Sequence, residues 1–273
     1  MLSSHPAGQS RYVEVNGQTL HYKQWSESGT PLIFLHGVTS SSTSWDLIAP
    51  HFTAQYRVMA FDLRGHGRSS KPQRGYTWVD HYGADLVDFI NNHLGEKVIV
   101  VGHSLGAVVS VPIAVGAPDK VCAIVLEDPP AFAPAERPNH TRDRFAPILA
   151  IKRLPKELRV ARMMETLGID HEAARLRAEN LEAMSEDVLV DLIESHTAYA
   201  ADAWLPRVSC PALVILGNPE HGGVVAHYDR PRLQRLLSHL TLIEWSDVGH
   251  GIHVEQPQRF VSTVQAYLQG LSG

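Results

Sequence analysis

The chain has 273 residues, 44% hydrophobic and 19% charged, with a formal net charge of −5. This is an ordinary globular balance, long enough to bury a core without disulfide or metal staples. The acidic charge gives no electrostatic reason to expect nucleic acid or an anionic membrane as partner.

Cys122 and Cys210 lie apart in apolar runs, outside any metal-ligand spacing, which suits a reducing compartment. The first residues, MLSSHPAGQSRYVEV, lack an apolar signal core. No stretch approaches the ~18 apolar residues of a membrane span. A cytoplasmic protein with no membrane partner is expected.

In chain order, RYVEV (11–15) and QTLHYKQW (18–25) flank Asn16-Gly17, a hairpin turn signal. PLIFLHG (31–37), YRVMAFD (56–62), KVIVVGH (97–103) and KVCAIVLED (120–128) are short, apolar and rich in β-branched residues. Such runs predict strands covered on both faces, as in a parallel sheet. Helices are expected near 45–52, 78–93 and 105–116, the last with a kink at Pro112. PALVILG (211–217) and LTLIEW (240–245) repeat the strand signature, and PQRFVSTVQAYL (257–268) has helical spacing. The alternation predicts an α/β fold, a mostly parallel central sheet with helices on both faces.

Residues 129–205 break that alternation and read as helices. Prolines at 129, 130, 134 and 138 mark the start, and Pro206 the end. The chain thus divides into a first core part (1–128), a helical insertion (129–205) and a second core part (206–273). Within the insertion, Leu154, Leu158, Ala161, Met164 and Leu167 are spaced to face the core. Lys152, Arg153, Lys156, Arg159 and Arg162 cluster elsewhere. They read as a solvated helix surface in preference to an attractor of acidic substrates.

VVGHSLGAVV (100–109) carries the chemistry. Gly102-His103-Ser104-Leu105-Gly106 fits G-x-S-x-G between a strand and a helix, the context that motif requires. The sharp turn lifts the Ser104 hydroxyl above the sheet, and the following helix aims free N–H groups at it. A serine needs a base. Of 16 histidines, His250 follows the last strand and precedes the final helix, where a loop histidine can reach back over the sheet edge. His253 reads as packing, His36 and His66 as scaffold, and His221 as exposed.

FLHG (34–37), DLRGHGRS (62–69), GHSLG (102–106) and GH followed by EQP (249–257) occur in order, and by these motifs the chain resembles an α/β-hydrolase fold enzyme. The resemblance implies the chain order nucleophile, acid, histidine, and a cap at 129–205. It implies an oxyanion hole made by the backbone N–H groups of Val38 and Leu105. It also implies an acid in the loop after strand 211–217, where Glu220 lies three residues past Gly217. Asp128, at the end of the strand leading into the insertion, is the alternative. Trp45, Phe132, Met164 and Trp204 are candidate pocket walls.

The implied activity is cofactor-free and metal-free hydrolysis of a small-molecule carboxylic ester or lactone through an acyl-enzyme. Carbon–carbon bond hydrolysis or perhydrolysis on the same triad is the alternative, and a non-catalytic binding protein of this fold a further one. Ser104, where dehalogenases and epoxide hydrolases carry an aspartate, weakens those two readings.

Overall fold

The computed structural model describes residues 7–132, 140–194 and 201–271. Eight strands form one sheet: β1 Gln9–Val15, β2 Gln18–Gln24, β3 Thr30–Leu35, β4 Tyr56–Phe61, β5 Val98–His103, β6 Val121–Glu127, β7 Ala212–Leu216 and β8 Leu240–Glu244. Their order is β1-β2-β4-β3-β5-β6-β7-β8. The first hairpin is antiparallel and lies antiparallel on β4; the remaining strands run parallel.

Alternation within a strand sends neighbouring side chains to opposite faces. In β3, Ile33 and Leu35 enter one core, while Leu32 and Phe34 enter the other with Trp45 and Phe260. All are fully buried, and each such side chain stabilises the fold by about 1.5–3 kcal/mol. Two cores on two faces explain why these strands are apolar throughout.

Helices cover both faces. After a π-turn, Trp78–Gly83, come α1 Ala84–Asp88 and a second π-turn, Phe89–Leu94. Helix α2, Leu105–Gly116, runs unbroken through Pro112, whose ring packs at Gly83. The helix expected at 45–52 is instead two 3-10 turns, Ser42–Trp45 and Ala49–Phe52, the first capped by the Ser41 side chain.

Between β6 and β7 lie α3 His140–Lys152, α4 Lys156–Leu167, α5 His171–Ala183 and α6 Glu186–Glu194. Prolines 134 and 138 fall outside the described residues. The inward stripe of α4 is Val160, Met163, Met164 and Leu167; Leu158 and Ala161 are exposed, contrary to expectation. Pro155 starts the helix anew at Lys156, so residues on either side share no single helical phase. Arg153, Arg159 and Arg162 pair with Glu186, Glu182 and Glu165. The chain closes with α7 Arg230–Leu236, α8 Ile252–Glu255 and α9 Pro257–Gly270. No helix among the described residues is long and apolar enough to cross a membrane.

Candidate active site

Ser104 occupies the turn between β5 and α2 with φ 53° and ψ −111°, a conformation that L-residues rarely adopt. Two glycines make the turn possible. A Cβ on Gly102 would sit 2.2 Å from the Gly106 carbonyl oxygen, and one on Gly106 would sit 2.3 Å from that of Leu35. The amide of Ser104 donates to the Glu127 carbonyl (3.0 Å), and that of Gly106 donates to the His36 carbonyl (3.0 Å). The nucleophile candidate is thereby tied to both neighbouring strand ends.

His250, in the loop between β8 and α8, meets Ser104. The Ser104 hydroxyl donates to Nε2 at 2.9 Å, while Nδ1–H donates to Asp128 Oδ2 at 2.7 Å. Asp128 is fully buried at the end of β6 and has φ 42°. Its carboxylate also accepts the amides of Gly217 (3.3 Å) and Val224 (2.9 Å).

The expected acid, Glu220, does not join this chain. It is exposed in the 3-10 turn Pro219–His221, where its amide donates to the Asn218 side chain. The physical reason lies in the loop itself. Residues 217–224 wrap around Asp128 and offer it two amides, so backbone fills the space that a carboxylate from this loop would need. The alternative residue, Asp128, is the one brought to His250.

Val38 and Leu105 flank the serine, and neither backbone N–H makes a hydrogen bond among the described residues. The turn before Val38 is held from beneath. His36 Nδ1–H donates to the Gly37 carbonyl (2.7 Å), and its Nε2 accepts the Leu63 amide (3.1 Å). His66 Nε2 lies 2.6 Å from the Val38 carbonyl.

DLRGHGRS (62–69) serves as framework. Burial alone would raise the Asp62 pKa. The bond from His21, the proximity of His36 and the amides of Arg68 and Ser42 instead hold it well below the usual carboxylate range. Arg64 grips buried Asp85 with two 2.6 Å bonds.

A second layer lies one step behind Ser104 and Asp128. His103 Nε2–H donates to the His250 carbonyl (3.0 Å). Burial, then the neighbouring His250 and His253, push the His103 pKa well below 6.5. Glu127, fully buried, accepts the amide (2.9 Å) and Nδ1–H (2.8 Å) of His253. Sequence reasoning took His253 as packing and passed over Glu127. The available signal was a carboxylate ending an otherwise apolar strand, which needs a buried partner.

Trp45 is not a pocket wall. It is fully buried beneath the sheet, with its ring stacked 4.2 Å from that of His253. A large apolar residue in a capped turn reads the same from sequence whether it faces a cavity or a core. Phe132, Met164 and Trp204 are half-buried against the core that faces the insertion. Arg232 covers the Phe132 ring and Arg207 that of Trp204. Among the described residues no cluster of His, Cys, Asp or Glu is arranged to hold a metal ion.

Known proteins fit this picture. The chain is 27% identical over 258 residues to the sn-1-specific diacylglycerol lipase ABHD11 of Danio rerio, covering 88% of this chain and 78% of that protein. It is 26% identical over 253 residues to N-formylmaleamate deformylase of Pseudomonas putida, covering 88% and 89%. The crystal structure of E-2-(acetamidomethylene)succinate hydrolase superposes with a TM-score of 0.81 at 25% identity, covering 96% of this chain and 99% of that one. A sequence model of the alpha/beta hydrolase family matches residues 32–263, most of the chain and every element from β3 into the last helix. By that match and by its fold, the chain belongs to the alpha/beta hydrolase family.

Proposed function

We propose that the protein is a serine hydrolase that cleaves carboxylic esters through an acyl-enzyme, with Asp128 as the acid of the triad. The observation that carries this reading is the unbroken chain Ser104–His250–Asp128, with bonds of 2.9 and 2.7 Å, beside two unused backbone donors.

Ser104 attacks the ester carbonyl while His250 Nε2 takes its proton. Asp128, accepting from Nδ1, fixes the ring tautomer and stabilises the imidazolium. The Val38 and Leu105 amides receive the developing oxyanion, each contributing about 2.7–4 kcal/mol by comparison with similar donors. His250 then protonates the leaving alcohol and activates the water that releases the acid. Helices α3–α6 form the cap over this edge of the sheet. Their contacts support that placement: Ser41 bonds Asn180 (2.8 Å), and the Ser185 amide bonds the Gly65 carbonyl (2.7 Å). The diacylglycerol lipase relative supports the ester reading by its named substrate.

The test is labelling with a fluorophosphonate together with turnover of p-nitrophenyl esters. Wild type should label at Ser104 and release nitrophenol. Ser104→Ala should do neither, losing about 10⁶-fold in kcat. Labelling elsewhere, or turnover unchanged in Ser104→Ala, contradicts the proposal.

A further inference from the structure

The peptide group between Gly37 and Val38 lies against the nucleophile candidate. A Cβ on Gly37 would sit 3.2 Å from the Ser104 Cβ and 2.9 Å from His103 Nδ1. The N–H of this peptide group, that of Val38, is one of the two proposed oxyanion donors. A trans peptide is rigid, and its N–H points opposite to its carbonyl. Whatever holds the Gly37 carbonyl therefore aims the Val38 N–H.

That carbonyl is held by the His36 ring. His36 Nδ1–H donates to it at 2.7 Å, and the Ser40 amide adds a longer bond of 3.2 Å. The tautomer is fixed from the other side of the ring, where Nε2 accepts the Leu63 amide at 3.1 Å. The Leu63 N–H, the imidazole and the Gly37–Val38 peptide thus form a relay that ends on the Val38 N–H. Each bond in such a chain polarises the next, so this N–H donates more strongly than an isolated amide.

His66 holds the following peptide group. Its Nε2 lies 2.6 Å from the Val38 carbonyl, and its Nδ1 lies 2.9 Å from that of Arg64. Burial and the proximity of His36 push the His66 pKa down to about 3, and burial lowers that of His36. Each ring therefore carries a single proton near neutral pH. In His66 that proton goes to the closer oxygen, that of Val38. Both rings are fully buried and meet edge to face, 4.9 Å between centroids, so neither turns without displacing the other.

We propose that His36 and His66 are positioning residues: they grip the carbonyls that precede and follow the Val38 N–H, and so hold that donor where the oxyanion forms. The proposal deepens the acyl-enzyme reading and rests on it.

Asparagine and glutamine tell the two ring nitrogens apart. An Asn amide reaches as far as Nδ1 and a Gln amide as far as Nε2, each with an N–H to give. Turnover of p-nitrophenyl butyrate is compared for His36→Asn, His36→Gln, His66→Gln and His66→Asn. The matched variants, His36→Asn and His66→Gln, should stay within about tenfold of wild type in kcat. The mismatched ones should lose about 100-fold in kcat with KM within about twofold, as for an interaction made only in the transition state. Affinity for a trifluoromethyl ketone, whose Ser104 adduct carries the oxyanion, should fall in parallel. Equal losses within each Asn/Gln pair, or losses carried by KM, overturn the proposal. Where a mismatched variant does not fold, a folded matched variant that still loses about 100-fold overturns it. The Val38 amide signal in 15N-valine-labelled protein needs no turnover. It should move upfield in His36→Gln and stay near its wild-type position in His36→Asn. If wild type cleaves no ester and forms no ketone adduct, the acyl-enzyme reading has failed, and this signal decides the positioning alone: the same position in both variants overturns it.

Discussion

Glu127 holds His253 by two groups at once, accepting both its backbone amide and its ring N–H in a site closed to solvent. Glu127 directly precedes Asp128, and His253 lies three residues beyond His250. The loop bearing His250 is therefore pinned on one side by this pair and on the other by His103 at the His250 carbonyl. The Glu255 carboxylate adds a third tether at the Gly249 amide (3.0 Å).

Removing the Glu127 carboxylate should free that loop. Glu127→Ala strands a buried amide and a buried imidazole N–H, at about 1–3 kcal/mol for each unsatisfied donor. Glu127→Gln keeps an oxygen for the amide and should lose less than half as much. Urea unfolding of both variants measures this. Indistinguishable losses would show that the pair is not what secures the loop.

The two carboxylate candidates separate cleanly by substitution. Asp128→Asn should reduce kcat by about 10⁴-fold, because the amide no longer enforces the Nδ1–H tautomer. Glu220→Gln, at an exposed turn, should stay within about twofold. Circular dichroism checks that both variants are folded. A crippled Glu220→Gln beside an active Asp128→Asn would reverse the assignment.

Acid should destabilise the fold from near neutrality downward. Burial lowers the pKa of His36 and pushes that of His103 well below 6.5. At pH values below 6.5 the unfolded chain takes up protons that the folded state refuses. Stability is thus complete above that pH and is lost as pH falls, by up to about 1.4 kcal/mol per pH unit for each histidine. Asp62, with its pKa depressed, adds a loss in the same direction only below about pH 4. Urea midpoints at pH 8, 6.5 and 5.5 should drop across the last interval. A flat profile would mean that these histidines titrate normally.

Gly106→Ala should be more damaging than a helix glycine usually allows. Helix propensity favours alanine by about 1 kcal/mol, but the new Cβ would stand 2.3 Å from the Leu35 carbonyl oxygen. Since β3 is buried on both sides, neither partner can yield. The variant should be both less stable and at least tenfold less active, as melting curves and ester turnover will show. A gain in stability would mean that the turn relaxes freely.

The parallel strands were legible because each is buried on both faces and reads as a continuous apolar run. Ser104 and His250 were legible because their positions follow from strand ends. The acid was not. Asp128 and Glu220 each follow an apolar strand, Asp128 at once and Glu220 within the next loop, and which one meets His250 depends on how loop 217–224 folds back to give its amides to Asp128. The Glu127–His253 pair was hidden for a related reason: its members are 126 residues apart, and neither carries a local motif.

Among the described residues, three non-glycine positions have positive φ: Asn16 in the hairpin, Ser104 and Asp128. The first is an ordinary turn, but the other two are the proposed nucleophile and its acid, at the ends of adjacent strands. Each such conformation costs ~1–3 kcal/mol, and glycine adopts it without penalty. Conformational tension and chemistry therefore share the same two residues. A population selected only for heat tolerance would find relief at positions 104 and 128 first, and would reach a sturdier protein by giving up its reaction.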